Sequence, residues 1–476
     1  MTYRSGLLTA LLLLPVLSLA DPTGEPPGIP AVLDALVEET LAANLELRQS
    51  DTRLSQRLAA IEQARARFLP AIELGLRYSR ADGGRTIDVP VGDLLNPAYD
   101  AIDELLVAAG DAPRFEPVGN ASIQFLRERE QRTALTLTQP LYDARLGAAE
   151  RAAQQEYLAS AAARGSLLGR LLRDVRQAYF ALLAAEEAVR ILDASRELAR
   201  SNLSVNESLY RNGRVTRDLV FRAEADLLEI EQQQLEARNL VRQALSLVNA
   251  LRDAPLTAAV VTLPIDAEAV VHYRERFAAR LAGREPDLDL LSELALDRRH
   301  ELTSFDAAIA AGEARKDLAR AAFKPQVAFG IDAGFEDEDF RYGSDTRFVL
   351  ASVIVRWSLY SGGGDRARVR EAAALIEELR ATRDIAAQQI RLEVQRALYD
   401  VEVADASIET AEKRVQAAEG SFRIASRKRD LGKINQTEFI DARRALTSAS
   451  LNLNVTRARF LGRLAELEYA TGVAAP

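Results

Sequence analysis

Few side chains in this sequence are placed for covalent chemistry. The only two histidines, His272 and His300, lie far apart, and the chain has no cysteine. The glycine run 362–364 superficially suggests a phosphate-binding loop, but it lacks the Gly-Lys-Ser/Thr that completes such a loop, and its position between a strand and a helix indicates a bend. The ligand spacings of a metal site are also missing. We therefore expect no enzyme activity, no cofactor and no metal.

The composition points instead to an exported helical protein. Alanine, leucine, arginine and glutamate dominate, as in long packed helices. The formal net charge of -9 argues against a nucleic-acid partner. Arg4, the apolar run Gly6–Leu19 and the small residues of Ser18–Ala20 are typical of a signal peptide, residues 1–20. The alternative is an uncleaved membrane anchor, for which the run is short, since a spanning helix needs about 20 apolar residues.

An internal repeat organises the rest of the chain. The pattern Phe-x-Pro occurs at Phe68 and again at Phe323, and Gly213 and Gly432 stand 219 residues apart. Such self-similarity predicts two copies of one unit. The predicted division is a signal peptide 1–20, an N-terminal linker 21–30, a first copy 31–250, a less regular equatorial linker 251–285, a second copy 286–472 and a tail 473–476.

Each copy is predicted to run helix, strand, loop, strand, very long helix, turn and helix. Residues 145–210 contain no proline and would form a helix of about 99 Å. In the equivalent stretch 365–429, apolar residues from Ile390 to Ala425 step by four and three, which is the heptad seam of helix packed on helix. The shorter helices, 31–66 and about 214–250, would match one long helix if stacked end to end, giving a two-layer tube wall.

Four short segments alternate between apolar and polar or small residues. One apolar face over about ten residues is the pattern of a membrane β-strand. A soluble hairpin with one buried face has the same pattern, but the signal peptide and the aromatic residues at the strand ends favour the membrane. The segments are Ile72–Tyr78, a second around Leu135 and Leu137, Val327–Phe335 and Val349–Trp357, and the interface aromatics are Tyr142, Tyr360, Trp357, Phe340 and Tyr342.

Strands in lipid must have every edge paired, because lipid offers no hydrogen bonds. Four strands are too few to close, since the smallest membrane barrels have about eight. The chain is therefore expected to oligomerise. Three copies, with twelve strands, fit a tube of long helices best.

Together these features resemble the TolC-type outer-membrane efflux proteins, or outer-membrane factors. The resemblance rests on the two-copy layout, the Phe-x-Pro strand starts and the two glycine-centred helix turns, and it covers residues 31–472. It implies a mainly α fold with a small transmembrane β part. In such a homotrimer, long coiled-coil helices form an α-barrel, and four strands per chain form a twelve-strand β-barrel.

The resemblance also implies a location and partners. The location is the outer membrane of a Gram-negative bacterium, in contact with its lipid and extending into the periplasm. The partners are a periplasmic membrane-fusion adaptor and an inner-membrane transporter of the RND or ABC type. The implied function is a channel-tunnel that exports substrates from this assembly to the cell exterior.

The most informative local match is residues 431–442, where a glycine precedes two acidic residues three apart and then an alanine. In the family pattern, Glu438 and Asp441 match the residues that line the closed periplasmic entrance. Three copies would place six carboxylates around one axis, which attract cations and repel one another when ionised. Two departures stand out: Glu438 has a longer side chain than the acid of the pattern, and Ile434 replaces an arginine, which puts a salt-bridge lock at that position in doubt.

Both glycine turns also resemble the tips that dock the adaptor. Gly213 and Gly432 suit the positive-φ position that ends a helix. The alternative is that the charges of these turns are ordinary solvated helix ends. The predicted docking residues are Gly213, Arg214, Val215, Arg217, Asp218, Gly432, Lys433 and Ile434.

The loop between the first two strands, residues 81–131, is too long to lack a role. Its segment Val89–Leu95 is predicted as turn-like. Asn96 followed by Pro97 resembles a helix cap, so a short helix is predicted from there to about Ala109. We expect this loop to narrow or cover the extracellular mouth; the alternative is a surface loop without order.

A different class of function stays open at the level of sequence, a periplasmic coiled-coil adaptor or scaffold without a pore. Adaptors also carry helical hairpins, but they are expected to have a substantial soluble β-rich portion. Here nearly all of the strand pattern lies in four segments of membrane length. Nothing in the sequence identifies the cargo.

Overall fold

The computed structural model describes residues 28–124, 127–281, 283–431 and 433–473. The predicted signal peptide, Gly432 and the last three residues of the tail lie outside the described residues. The chain forms two compact units. The helical unit contains residues up to Leu58, Gln155–Ala310 and residues from Glu377, and the sheet unit contains Ala59–Gln154 and Ala311–Ile376.

In the first half of the chain, helices flank two long strands, as predicted. A small insertion with two further strands and one helix lies between them. The elements are α1 Ile29–Ala43, α2 Leu45–Ala66, β1 Ala71–Arg80, β2 Thr86–Val89, α3 Val91–Ala108, β3 Ala121–Gln124, β4 Arg129–Tyr142, α4 Ala144–Arg211 and α5 Arg217–Leu251.

The second half has the same order of elements without the insertion. A helix precedes it in the segment that the sequence predicts as less regular. The elements are α6 Ala267–Arg280, α7 Leu288–Arg298, α8 His300–Arg320, β5 Gln326–Asp337, β6 Arg347–Arg356, α9 Gly364–Asp430 and α10 Gln436–Ala470.

The two longest helices agree with the sequence analysis. α4 has 68 residues and α9 has 67, and neither is interrupted. The heptad seam of α9 is buried where it packs in the helical unit, with Val394 at 0% exposure and Ala397 and Ala404 at 4%. Alanine at alternate seam positions lets neighbouring helices approach closely, so the seam forms by close packing rather than by large side chains. In the described part of the chain, no helix has the length and apolar character needed to cross a bilayer.

The predicted helix 31–66 is in fact broken at Asn44, which separates α1 from α2. The Asn44 side chain donates from Nδ2 to the carbonyl of Leu251 at 2.8 Å and accepts from the N–H of Leu47 at 3.0 Å. The end of α5 therefore meets the start of α2, inside the predicted helix 31–66, and does not meet an end of that predicted helix. The end-to-end stacking that the helix lengths predict stays a prediction. The break follows from this long-range contact, which supplies a partner for the last carbonyl of α5.

The second half has a comparable junction at Arg299, between α7 and α8. Buried Arg299 donates to the carbonyl of Ala470, at the end of α10, at 3.2 Å. It also donates to both carboxylate oxygens of Glu301, at 2.9 and 3.2 Å, and to Glu393 at 3.1 Å. The Tyr469 hydroxyl completes the cluster with a bond to Glu301 at 3.2 Å. Burial opposes ionisation of Glu301, but the hydrogen bonds from Arg299 outweigh it, so the pKa of Glu301 lies below its ordinary value.

The linker predicted as less regular contains a helix, α6. Asp266 caps it by accepting from the N–H of Ala269 at 2.8 Å. Val270, Tyr273 and Phe277 lie on its buried face at helical spacing. The sequence analysis missed this amphipathic pattern because proline and small residues precede it.

Four antiparallel strands form the main sheet in the order β1-β4-β5-β6. Leu137 of the central strand β4 lies opposite Ile72 and Ile331, so the apolar faces of neighbouring strands align. β1 and β6 are the edge strands, each paired on one side only within the described chain. Their apolar faces are exposed in the single chain, for example Ile72 at 63% and Val349 at 77%. All four predicted strands are confirmed.

The prediction for the long loop was partly wrong. β2 and β3 pair as a small antiparallel sheet, which was not predicted. The helix begins at Val91, not at Pro97, and Pro97 lies inside it. The side chain of Asn96 bonds to the backbone of Val118 instead of capping the helix. Val91–Leu95 join the helix because their apolar residues continue the helical stripe that follows.

Candidate functional site

The first glycine turn joins α4 to α5. Gly213 has a φ of 68°, which only glycine adopts without strain. Its N–H donates to the carbonyl of Tyr210 at 2.9 Å, and the N–H of Arg214 donates to the carbonyl of Leu209 at 2.9 Å. This pair of bonds is a Schellman motif, which satisfies carbonyls at the end of a helix. Gly213 therefore ends α4 in the conformation that the sequence predicts.

The second turn joins α9 to α10 and contains the same type of closing bond. The N–H of Lys433 donates to the carbonyl of Lys428, five residues earlier, at 2.8 Å. Gly432 itself lies outside the described residues. Asn435 caps α10, and its side-chain oxygen accepts from the N–H of Thr437 at 3.1 Å.

The two predicted gate acids project from the first turns of α10. At a separation of three residues they share one side of the helix. Glu438 accepts from Nζ of Lys428 at 2.8 Å, and both side chains are about half exposed. Asp441 is exposed and has no hydrogen-bond or ion-pair partner within the described ranges. One carboxylate is thus neutralised within the chain, and the other is available to ions from solution.

An apolar cluster under these acids holds the turn in place. Phe439 is 1% exposed and packs with Ala425 and Ala442. The guanidinium of Arg429 lies 4.5 Å from the centre of the Phe439 ring. Ile434 packs against the same cluster. Where the family pattern has an arginine, this turn therefore has an apolar contact.

A buried ionic network joins α10 to α5 and α4 close to this turn. Arg443 donates to both oxygens of Asp226, at 2.8 and 3.0 Å, and each side chain is 3% exposed. Arg443 also donates to the Ser195 hydroxyl, to which Thr447 donates at 2.9 Å. Arg444 adds a third bond to Asp226 at 3.0 Å. A buried ion pair of this kind, in which Nη2 of Arg443 contacts Asp226 and Nη1 contacts Ser195, fixes the relative position of three helices.

A further contact brings the two helix hairpins together near their turns. Nδ2 of Asn206 on α4 donates to Oε1 of Gln436 at 3.0 Å.

Among the predicted docking residues, the guanidinium of Arg217 lies 5.1 Å from the centre of the Phe221 ring. Val215 and Ile434 are half-buried, whereas the exposed members are Gly213, Arg214, Arg217, Asp218 and Lys433.

The predicted interface aromatics fall near both ends of the main sheet. One group lies where β4 and β6 lead into helices, and there Trp357 donates from its indole N–H to the carbonyl of Phe323 at 3.0 Å. The other group lies in the connection from β5 to β6, where Phe340 stacks on Tyr78 with ring centres 5.8 Å apart. All five side chains are exposed: Tyr142, Trp357 and Tyr360 in the first group, and Phe340 and Tyr342 in the second.

Sequence reasoning missed Lys428 and the buried Asp226–Arg443 pair. Arg443 carries a usable signal, because it is a charged residue within the apolar stripe of α10 and such a residue requires a buried partner. No comparable signal marks Lys428, which is one of several cations at the end of α9. Within the described residues, no group of three or more potential ligands is placed to hold a metal ion.

Comparison with known proteins identifies relatives of this chain among secretion and export proteins. The alkaline protease secretion protein AprF of Pseudomonas aeruginosa is 25% identical over 344 residues, which is 72% of this chain and 69% of AprF. The pyoverdine export outer membrane protein OpmQ of Pseudomonas putida is 23% identical over 425 residues, 88% of this chain and 80% of OpmQ.

Solved structures share the fold at low identity. CusC superposes with a TM-score of 0.73 and 16% identity, covering 92% of each chain. The CmeC outer membrane channel of Campylobacter jejuni superposes with a TM-score of 0.71 and 16% identity, covering 93% of this chain and 86% of CmeC. The family model described as outer membrane efflux protein matches residues 36–253 and 291–473, most of the chain. This chain therefore belongs to the outer membrane efflux protein family, and its location is the outer membrane of a Gram-negative bacterium, from which it extends into the periplasm.

Proposed function

We propose that three copies of this chain form a continuous export duct. In this duct the four main strands of each copy join into a twelve-strand β-barrel, and the long helices form an α-barrel in the periplasm. Two copies of one structural unit, residues 31–250 and 286–472, build each subunit. The observation that carries the proposal is the sheet itself: β1 and β6 each have one unpaired edge, and apolar side chains cover their exposed faces.

Physical chemistry connects this sheet to an oligomer. An unpaired strand edge in lipid would leave backbone N–H and C=O groups without partners, at a cost of several kcal/mol for each group. Pairing β1 of one copy with β6 of the next removes both edges at once. The family membership, together with this sheet, favours the duct over a periplasmic adaptor without a pore.

We assign the periplasmic entrance of the duct to the turn that carries Glu438 and Asp441. Around a three-fold axis, the three copies of Asp441 would form a ring of carboxylates without internal cation partners. Glu438 would contribute less negative charge than its position suggests, because Nζ of Lys428 lies 2.8 Å from its Oε1. The ring would favour cations, and divalent cations most strongly.

The partners follow from the same assembly. The exposed residues of the two turns, Arg214, Arg217, Asp218 and Lys433, form the surface that would meet a periplasmic membrane-fusion adaptor, which links the duct to an inner-membrane transporter of the RND or ABC type. The names of the relatives refer to protease secretion and to pyoverdine export. Cargo of such different size indicates that the partner pump, rather than the duct, selects the cargo.

Membrane fractionation with a mass measurement tests this proposal. The mature chain should appear in the outer-membrane fraction, migrate differently in gels before and after boiling, and have the mass of three copies in detergent. A monomer or dimer in the soluble periplasmic fraction would contradict the duct. The four strands would then have to be interpreted as a soluble sheet.

A further inference from the structure

Helix α3, in the long loop between β1 and β4, has an unusual distribution of contacts. The segment that follows it, residues 111–120, is bonded to its polar side. The N–H groups of Arg114 and Phe115 donate to the two carboxylate oxygens of Asp103, at 2.7 and 3.2 Å. Asn96 exchanges two bonds with the backbone of Val118, at 3.0 and 2.8 Å.

Two more contacts hold this side of the helix. Asn120 accepts from the N–H of Asp93 at 3.2 Å and donates to its carboxylate at 3.1 Å. The rings of Tyr99 and Phe115 stack with centres 4.9 Å apart. The backbone also approaches closely, since a Cβ on Gly92 would lie 2.2 Å from the carbonyl oxygen of Val118. The polar side of α3 is therefore used inside its own loop.

A neighbouring side of α3, about a third of a turn from the bonded residues, is apolar and open. Leu94 and Leu105 are 73% and 72% exposed, and Ile102 is 43% exposed. Apolar residues recur at intervals of four and three along this side, which is a heptad seam. The seam consists of Val91, Leu95, Ala98, Ile102, Leu105 and Ala109.

The spacing identifies the type of partner. An apolar stripe at this spacing over about two and a half heptads fits packing against another helix, whereas a helix that lies on a lipid surface has a cationic polar face. Between Thr86 and Pro113 there are six acidic side chains and no lysine or arginine, so anionic lipid headgroups would repel this helix. In a coiled coil, each heptad has one residue on either side of the seam that flanks it. None of the acidic residues of α3 occupies such a flanking position. On the open side the flanking residues are Leu94, Ala101 and Ala108, none of which is charged. On the other side Gly92 and Tyr99 already contact the segment 111–120 of the same chain.

We infer that the α3 helices of three subunits pack together through this seam and form an apolar plug at the extracellular mouth. This inference rests on the proposed trimeric duct. Uncharged flanking positions allow identical helices to meet in parallel without opposing like charges. The loop leaves the edge strand β1, which is the strand that would pair with a neighbouring copy, so the three α3 helices are carried by the interface that joins the subunits.

Disulfide cross-linking tests the plug directly, because the chain has no cysteine of its own. In the full-length trimer, oxidation of Ala98→Cys, at the seam, should convert up to about two thirds of the chains to covalent dimer, since the third copy has no partner thiol. Asp100→Cys, on the far side of the same helix, is the matched control and should give only a trace of dimer. Ile102→Cys is a second seam variant, in case Ala98→Cys folds poorly.

The outcomes separate the plug from the duct. A trimer that still conducts but gives no dimer at Ala98 and Ile102, or equal dimer at Asp100, overturns the plug and leaves the duct intact. Quenching of a fluorophore on Ala98→Cys by nitroxide-labelled lipid in vesicles would identify lipid as the occupant and would also overturn the plug. Absence of a trimer would overturn both proposals.

Discussion

Arg443 and Asp226 form an ion pair that is buried on both sides, in which Nη2 of Arg443 lies 2.8 and 3.0 Å from the two carboxylate oxygens. The pair joins α10, which carries Glu438 and Asp441, to α5 of the other hairpin. Breaking one side of a buried pair leaves an uncompensated charge, which costs about 3–5 kcal/mol. We therefore expect Asp226→Leu to lower the unfolding free energy of the helical unit by about this amount, measured by denaturation of the detergent-solubilised protein followed by circular dichroism.

The partner variants make this first prediction specific. Arg443→Met should be less severe, because Arg444 stays bonded to Asp226 at 3.0 Å. The double variant Asp226→Leu/Arg443→Met should recover most of the loss, since no buried charge is left. Arg444→Met, at a half-exposed residue, is the control and should cost less than about 1 kcal/mol. A loss of less than about 1 kcal/mol in Asp226→Leu would show that the pair is not important for stability.

The second prediction distinguishes the two gate acids. Asp441→Asn should weaken block of the channel by divalent cations by up to about fivefold, which corresponds to about 1 kcal/mol. Glu438→Gln should have a smaller effect, because Lys428 already neutralises that carboxylate. Lys428→Met should do the opposite and strengthen block, because it frees the charge of Glu438. Single-channel recordings over a range of calcium concentration measure all three, and an unchanged block in Asp441→Asn would rule out the gate assignment.

The third prediction concerns pH and the Arg299 cluster. The pKa of Glu301 lies below its ordinary value of 4.5. A carboxyl of this kind stabilises the folded state above its ordinary pKa, and this stabilisation is lost as pH falls through its folded-state pKa. At neutral pH, Glu301→Gln should cost about 1.5–3 kcal/mol, the range for hydrogen bonds to charged groups.

The loss in Glu301→Gln should shrink as the pH is lowered below 4.5, because wild-type Glu301 then becomes protonated as well. Unfolding midpoints of both proteins across the acidic range would show the two curves converging. Glu419→Gln, on an exposed part of α9, serves as the control and should run parallel to the wild type. A difference in unfolding midpoint between Glu301→Gln and wild type that stays constant to the lowest pH measured would contradict the ion pair.

The fourth prediction tests how the long loop is built. Gly92→Ala would place a Cβ 2.2 Å from the carbonyl oxygen of Val118, so the segment 111–120 must move away from α3. Overpacking of this kind costs about 1–3 kcal/mol. Hydrogen exchange of residues 111–120 should therefore become faster. Gly119→Ala in the same loop meets open space and should leave the exchange unchanged; equal effects in the two variants would show that the close approach has no structural role.

Periodic patterns in the sequence were sufficient for the regular parts of this fold. Five heptads in α9 and the alternation in the four main strands are local signals, and the structure confirms the elements that they predict. The break at Asn44 has only a weak local signal. Asparagine is a common N-cap, and here it accepts from the N–H of Leu47, but neither proline nor glycine is present and the helical pattern continues. The break arises from a hydrogen bond to Leu251, which is 207 residues away.

Local signals were also misleading in places. Asn96 followed by Pro97 resembles a helix start, but the apolar stripe that begins at Val91 determines where α3 starts. Pro97 only removes one backbone hydrogen bond inside the helix.

At the gate turn, the sequence identified the acidic residues but not their partners. Lys428 and Glu438 are ten residues apart across a turn, and Asp226 and Arg443 are 217 apart, so only the packing of the helices brings each pair together.

The most direct test of the central claim is the conductance of the purified protein in a planar bilayer, with its mass measured in the same preparation. The proposed duct predicts discrete, small, cation-selective channels from a species with the mass of three chains. Because the proposed α3 plug would itself lower the conductance, the same recording is made on a variant without residues 91–109. No channels from folded trimers of this variant, or channels that prefer anions, would contradict the account of this chain as an export duct with an acidic entrance.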